Sequence, residues 1–123
     1  MTPFGARIRA MRQARGVTLK EMATALDVSA AYLSALEHGR RSRPSWYLVQ
    51  RIIAYFNVIW DEAEELQKLA AVSDPRVTLD TAGLSPKATH FANRIAREIH
   101  RLDEGALDEL DAVLDKRKPR KAK

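Results

Sequence analysis

Two helix-start signals, Thr18 and Ser29, stand so close together that only a pair of short helices fits around them. Thr18 is followed three positions on by Glu21, the capping-box pattern in which each side chain satisfies the other residue's orphan amide. Asp27-Val28 then reads as a tight turn, and Ser29 is a good N-cap for a second short helix. The first short helix, about 19–26, buries Leu19, Met22, Ala23 and Leu26; the second, about 30–38, points Leu33 and Leu36 inward and closes at Gly39. A turn of three to four residues between two such helices holds them at roughly 120°, so that the second can lie in a DNA major groove while the first crosses the backbone.

The flanking segments supply the burial that so short a pair needs. Phe4, Ile8 and Met11 recur at helical spacing, with Arg7, Arg9, Arg12 and Arg15 on other faces, so about 3–14 reads as an amphipathic helix ended by Gly16. Arg40-Arg41-Ser42-Arg43-Pro44 is a basic connector stiffened by its proline. Ser45 caps a fourth helix running to about Phe56, with Leu48, Val49, Ile52, Ile53 and Phe56 available to the core, and Asn57-Val58 breaks it. A fifth helix is expected over about 60–72, with Asp61, Glu62, Glu64 and Glu65 in its first turns, where the macrodipole favours acids.

Residues 73–85 read as a linker, with Asp74-Pro75 and Gly83 as breakers and a weak signal for a short extended segment around Val77 and Leu79. Ser85-Pro86 is a strong helix start. Beyond it Ala88, Ala92, Ile95, Ile99 and Leu102 form a heptad-like seam that fails at Asp103-Glu104-Gly105, and Leu107, Leu110, Val113 and Leu114 begin another. Two helices joined by a kink or short turn fit this pattern. The expected organisation is therefore residues 1–72 as one domain, 73–85 as linker, 86–117 as a C-terminal helical region and 118–123 as a basic solvated tail.

Composition narrows the function classes. The chain has 123 residues, enough for one domain and a small appendage, with 46% hydrophobic and 30% charged residues. No apolar run is long enough to span a membrane, and the arginine-studded start does not read as a secretory signal. There is no cysteine, which excludes disulfides and thiolate metal sites and suits a reducing cytoplasm. The net charge of +5 is unevenly spread: residues 1–44 hold eight Lys/Arg against three Asp/Glu, residues 45–115 seven against thirteen, and the last eight residues six against none. A basic head suits phosphate binding, and the acidic middle is expected to face away from it. His38, His90 and His100 are scattered without metal-ligand spacing. Glu62, Glu64, Glu65 and Asp103, Asp108, Asp111 and Asp115 sit at helix-surface spacings, and there is no phosphate loop or nucleophile motif. Neither an enzyme nor a cofactor or metal is expected.

The ordered set Phe4-Gly5-Ala6-Arg7-Ile8-Arg9, Arg15 to Ala23, Val28 to Gly39 and the Arg40–Pro44 connector resembles the Xre/Cro-repressor family of helix-turn-helix proteins, over about residues 4–70. The resemblance implies an all-α fold: a five-helix, lambda-repressor-like DNA-binding domain, here followed by a C-terminal helical segment suited to dimerisation. It also implies roles. Ser29, Ala30, Ala31, Tyr32 and Ser34 would face base edges, while Thr18, Lys20, Arg40, Arg41 and Arg43 would meet phosphates. Members often carry Gln, Asn, Arg or Lys where Ala30 and Ala31 stand. Two alanines cannot donate hydrogen bonds from their side chains, but they can pack on thymine methyls, leaving DNA shape and the polar groups of Tyr32 or Ser34 to contribute.

Several residues admit a plainer role. Arg7, Arg12 and Arg15 either touch DNA or form a solvated helix face. Tyr32 either reads a base or packs on the domain surface. Glu37, an acid in a basic patch, is expected to have a structural partner such as an arginine. Trp46, Tyr47 and Trp60 suit core or interface, and the basic tail suits either counterion release on DNA or solubility.

One helix-turn-helix buries little surface on DNA, so specific binding usually takes two copies on two half-sites. Phe91, Ile95, Ile99, Leu102, Leu107, Leu110 and Leu114 are the expected dimer interface, the alternative being that they pack within one subunit. The leading expectation is a homodimeric repressor that occludes a promoter at an inverted-repeat operator in double-stranded DNA, in a prokaryotic or phage-encoded setting. An antitoxin that neutralises a toxin through its second half, and an interaction module without DNA binding, are the alternatives.

Overall fold

Each of the first four helices begins at a hydroxyl side chain that takes up an orphan amide of the first turn. Thr2 Oγ1 accepts from Gly5 N at 2.9 Å to start α1 (Pro3–Ala14). Thr18 starts α2 (Leu19–Leu26) with both bonds of the capping box in place. Ser29 Oγ accepts from Tyr32 N to start α3 (Ala30–Glu37), and Ser45 Oγ from Leu48 N to start α4 (Trp46–Phe56). The computed structural model describes residues 1–117, and all regular structure among them is helical, in two units divided after Val77. The expected basic tail, 118–123, lies outside the described residues.

The first unit adds α5 (Trp60–Ala71) and closes one core. Phe4 and Ile8 of α1, Met22 and Leu26 of α2, Leu33 of α3, Ile52 of α4 and Leu66 of α5 are all essentially inaccessible. Each such side chain contributes on the order of 1.5–3 kcal/mol relative to exposure. The periodicities that identified the helices are thus the packing faces themselves. Asp27 and Asn57 adopt left-handed conformations, with φ of 59° and 55°, and end α2 and α4 where the sequence placed turns.

α5 starts differently. Its N-cap is Ile59, which offers no side-chain acceptor, and Trp60 is held at φ 55°, a left-handed conformation that a bulky residue adopts at a cost. Asp61 and Glu62 in the first turn partly offset this through the helix dipole. Further along, Glu65 receives a two-pronged ion pair from Arg7 of α1, at 3.0 and 2.8 Å. Trp46, Tyr47 and Trp60 are not core residues: they are 72%, 68% and 82% exposed.

Among the described residues one charged group is fully inside. Glu37, the last residue of α3, is 1% exposed and takes Nε and Nη2 of Arg12, both at 3.2 Å. Arg12 Nη1 also reaches the Val17 carbonyl in the α1–α2 loop at 3.3 Å. One guanidinium thereby ties α1, that loop and the end of α3. Gly5 permits the approach: a Cβ there would lie 2.7 Å from Glu37 Cα and closer still to the Glu37 carbonyl.

In the second unit, Ser85 caps α6 (Pro86–Glu98), which tightens into a 3₁₀ turn over Ile99–Arg101. Asp103 then accepts from Ala106 N at 2.8 Å and starts α7 (Glu104–Lys116). The break the sequence suggested at Asp103-Glu104-Gly105 is narrower than expected, because Asp103 is a cap and Glu104 and Gly105 already belong to the helix. The extended segment around Val77 and Leu79 does not form; there is no strand among the described residues, and both side chains are exposed.

Removing Arg12 by Arg12→Ala should lower stability by about 3–5 kcal/mol in chemical denaturation, since it strands a buried carboxylate. Gly5→Ala should cost about 1–3 kcal/mol by forcing α1 away from the end of α3.

Candidate nucleic-acid interface

Burial of Leu33, Leu36 and Glu37 decides which side of α3 is left outside. That outer side begins with Ser29, Ala30 and Ala31, all exposed or partly so, and continues through the half-buried Tyr32 and Ser34. Ser29 Oγ is already occupied by the Tyr32 amide, and the Ser34 carbonyl lies 2.9 Å from His38 Nδ1. The first turn of α3 therefore presents two methyl groups, beside a Ser29 hydroxyl that accepts from the Tyr32 amide and keeps its own hydrogen to donate.

The connector is fixed at both ends. Gly39, at φ 77°, turns the chain back so that Arg40 N donates to Ala35 O at 2.9 Å, and Pro44 is buried at the far end. Between them Arg40 and Arg41 are exposed. The Arg41 guanidinium lies over the Tyr32 ring, 5.6 Å from its centroid, so a connector residue and a residue of α3 form one cationic aromatic feature. Arg43 faces elsewhere. Its amide donates to Asp74 Oδ1 at 3.3 Å, and its guanidinium donates to the Ala71 carbonyl at 3.4 Å, with Asp74 Oδ2 at 4.0 Å.

At the start of α2, Lys20 is exposed, while the Thr18 hydroxyl is engaged in the capping box. The hydrogen bond from the Thr18 backbone amide, with that of its side chain, holds the Glu21 carboxyl below its usual range, so this acid stays ionised as a cap. The arginines of α1 divide from those of the connector. Arg7 is held by Glu65, Arg12 by Glu37, and Arg15 lies 5.0 Å from the Phe56 ring centroid while reaching the Phe56 carbonyl. All three make contacts within the domain; Arg12 is largely enclosed, whereas Arg7 remains part-exposed and Arg15 exposed. Gly5 had no assigned role from sequence; a glycine inside a helical pattern was the available signal.

In the second unit no residue of α6 or α7 is buried. Ile95, Leu102 and Leu107 are half-buried, and Phe91, Ile99, Leu110 and Leu114 are exposed. Among the described residues no group of His, Asp or Glu side chains could hold a metal ion, and no helix is long and apolar enough to cross a membrane.

Comparison with known proteins agrees with this geometry. The family model described as "Helix-turn-helix domain" matches residues 3–66, just over half the chain. The uncharacterized HTH-type transcriptional regulator RghRB of Bacillus subtilis is 31% identical over 61 residues, covering 50% of this chain and 44% of that protein. The HTH-type transcriptional repressor RghR of the same organism is 36% identical over 52 residues, 42% of this chain and 38% of its own length. The HTH-type transcriptional regulator DdrOP3 of Deinococcus deserti is 40% identical over 52 residues, 42% of this chain and 40% of its own. The chain thus matches less than half the length of each of these relatives, and no solved structure matches it. With two short capped helices in a five-helix unit and a family match across them, the chain belongs to the helix-turn-helix domain family.

Proposed function

We propose that the chain is a homodimeric repressor that binds an inverted-repeat operator through α3 and blocks a promoter by occupying it. The observation that carries this reading is the outer side of α3, where exposed Ala30 and Ala31 stand beside the Arg41–Tyr32 pair. The methyl groups fit the apolar part of a major groove and the arginines fit phosphates. The name of the RghR repressor supports repression, and the uncovered apolar faces of α6 and α7 support a second copy.

The proposed contacts have distinct tasks. Ala30 and Ala31 pack against thymine methyls, with Ser29, Tyr32 and Ser34 completing the base-facing row. Lys20, Arg40 and Arg41 neutralise phosphates, and the start of α2 at Thr18 lies against the backbone. Arg43 would have to leave Asp74 to join them, so it contributes least.

Selection from a random duplex library should enrich an inverted repeat; no enriched sequence would refute operator binding. On the selected duplex, Arg40→Ala and Arg41→Ala should each weaken binding across sequences and reduce the salt slope by about one, as loss of one phosphate contact requires. Arg43→Ala should change the slope least. Replacing the thymines opposite α3 by uracil should weaken binding about four-fold per methyl lost; indifference to that replacement would rule out methyl packing by Ala30 and Ala31.

A further inference from the structure

The second unit separates its charges by helix. α6 and the 3₁₀ turn carry Lys87, Arg94, Arg97 and Arg101 against one acid, Glu98. Glu98 is already shared by Arg94 and Arg101, each at 3.2 Å. α7 carries Glu104, Asp108, Glu109, Asp111 and Asp115 ahead of its final Lys116. None of the ion pairs among the described residues involves these acids. Both helices also keep an apolar side uncovered, with Phe91 and Ile99 54% and 52% exposed, and Val113 and Leu114 51% and 70%. α6 and α7 do not pack along one another within the chain.

Self-pairing of like helices across a two-fold axis would set α6 beside α6 and α7 beside α7, bringing like charges together along both seams. Pairing α6 with the α7 of a second copy covers the same apolar surface with opposite charges at its margins. We propose that two copies associate in this crossed manner, α6 of each against α7 of the other. The proposal rests on the homodimer reading above and specifies which surfaces meet. Charges flanking an apolar seam select the partner more than they add to affinity.

The test uses full-length wild-type chain and a charge-exchanged chain carrying Lys87→Glu, Arg94→Glu, Arg101→Glu, Asp108→Lys, Asp111→Lys and Asp115→Lys. Each is first examined alone for mass in solution and helix content. Both should be dimers, because the exchange preserves the crossed complementarity. The two are then mixed at low salt after dissociation, and mixed dimers are counted by native mass spectrometry. Crossed pairing places like charges on both seams of a mixed dimer, so mixed species should fall at least about ten-fold below random mixing. The segregation should fade at about 1 M salt. Random mixing would show that the charges of α6 and α7 do not face each other across the dimer, and enrichment of mixed dimers would show like-with-like pairing; either overturns the proposal. A wild-type chain that is monomeric would overturn the homodimer reading itself. Should the exchanged chain not fold, a chain reversed only in α6 and another reversed only in α7 replace it. Each should fail to dimerise alone, the two should dimerise when mixed, and neither should form mixed dimers with wild type at the random level; any other pattern rejects crossed pairing.

Discussion

The ion pair between Arg12 and Glu37 sets the geometry on which the outer side of α3 depends. A carboxylate removed from water at the end of α3 is tolerable only with a charged, well-aligned partner, and the arginine that supplies it stands on α1 and also grips the loop before α2. A change in the position of α1 is thereby passed to α3. Gly5 completes the arrangement from the other side, since its missing side chain lets the backbone of α1 lie against the end of α3. The orientation of a two-turn helix that cannot hold itself is thus delegated to a longer neighbour.

With that frame in place, the basic residues of the first unit fall into two populations. Arg7, Arg12 and Arg15 contact Glu65, Glu37 and Phe56 of their own domain, Arg12 alone being largely enclosed, whereas Arg40 and Arg41 stand at the surface beside α3. Net charge alone does not distinguish them. The count of basic residues in the first third of the chain overstates how much positive charge is available to a polyanion.

Much of this was legible in the sequence because it is local. Caps at Thr18, Ser29, Ser45 and Ser85, left-handed stops at Asp27 and Asn57, and the apolar spacing of each helix depend on residues a few positions apart. A partner for Glu37 was expected from its charge in a basic patch, but its identity was not, because Arg12 is distant in sequence and one arginine among several. The diversion of Arg43 to Asp74 and the close contact at Gly5 were hidden for the same reason. Trp46 and Trp60 suited core or interface from sequence; their exposure removes the first alternative, which hydrophobicity alone does not decide because it does not specify which side of a helix a neighbour covers. In the second unit the seams were visible, while the cap at Asp103 was mistaken for part of a break, because an acid before a glycine suits a turn as well as a helix start.

The start of α5 has a consequence for motion. Trp60 in a left-handed conformation stores on the order of 1–3 kcal/mol, and Ile59 before it gives the first amides no side chain to bind. The next holds on the helix are Ala63 and Leu66, packed on the core, with the surface Arg7–Glu65 pair beside them. The first turn of α5 is therefore a point where opening is cheap, relieving strain and losing few hydrogen bonds. Its amides would exchange with solvent through a local fluctuation, well before those of Leu66 and the core require the whole unit to unfold.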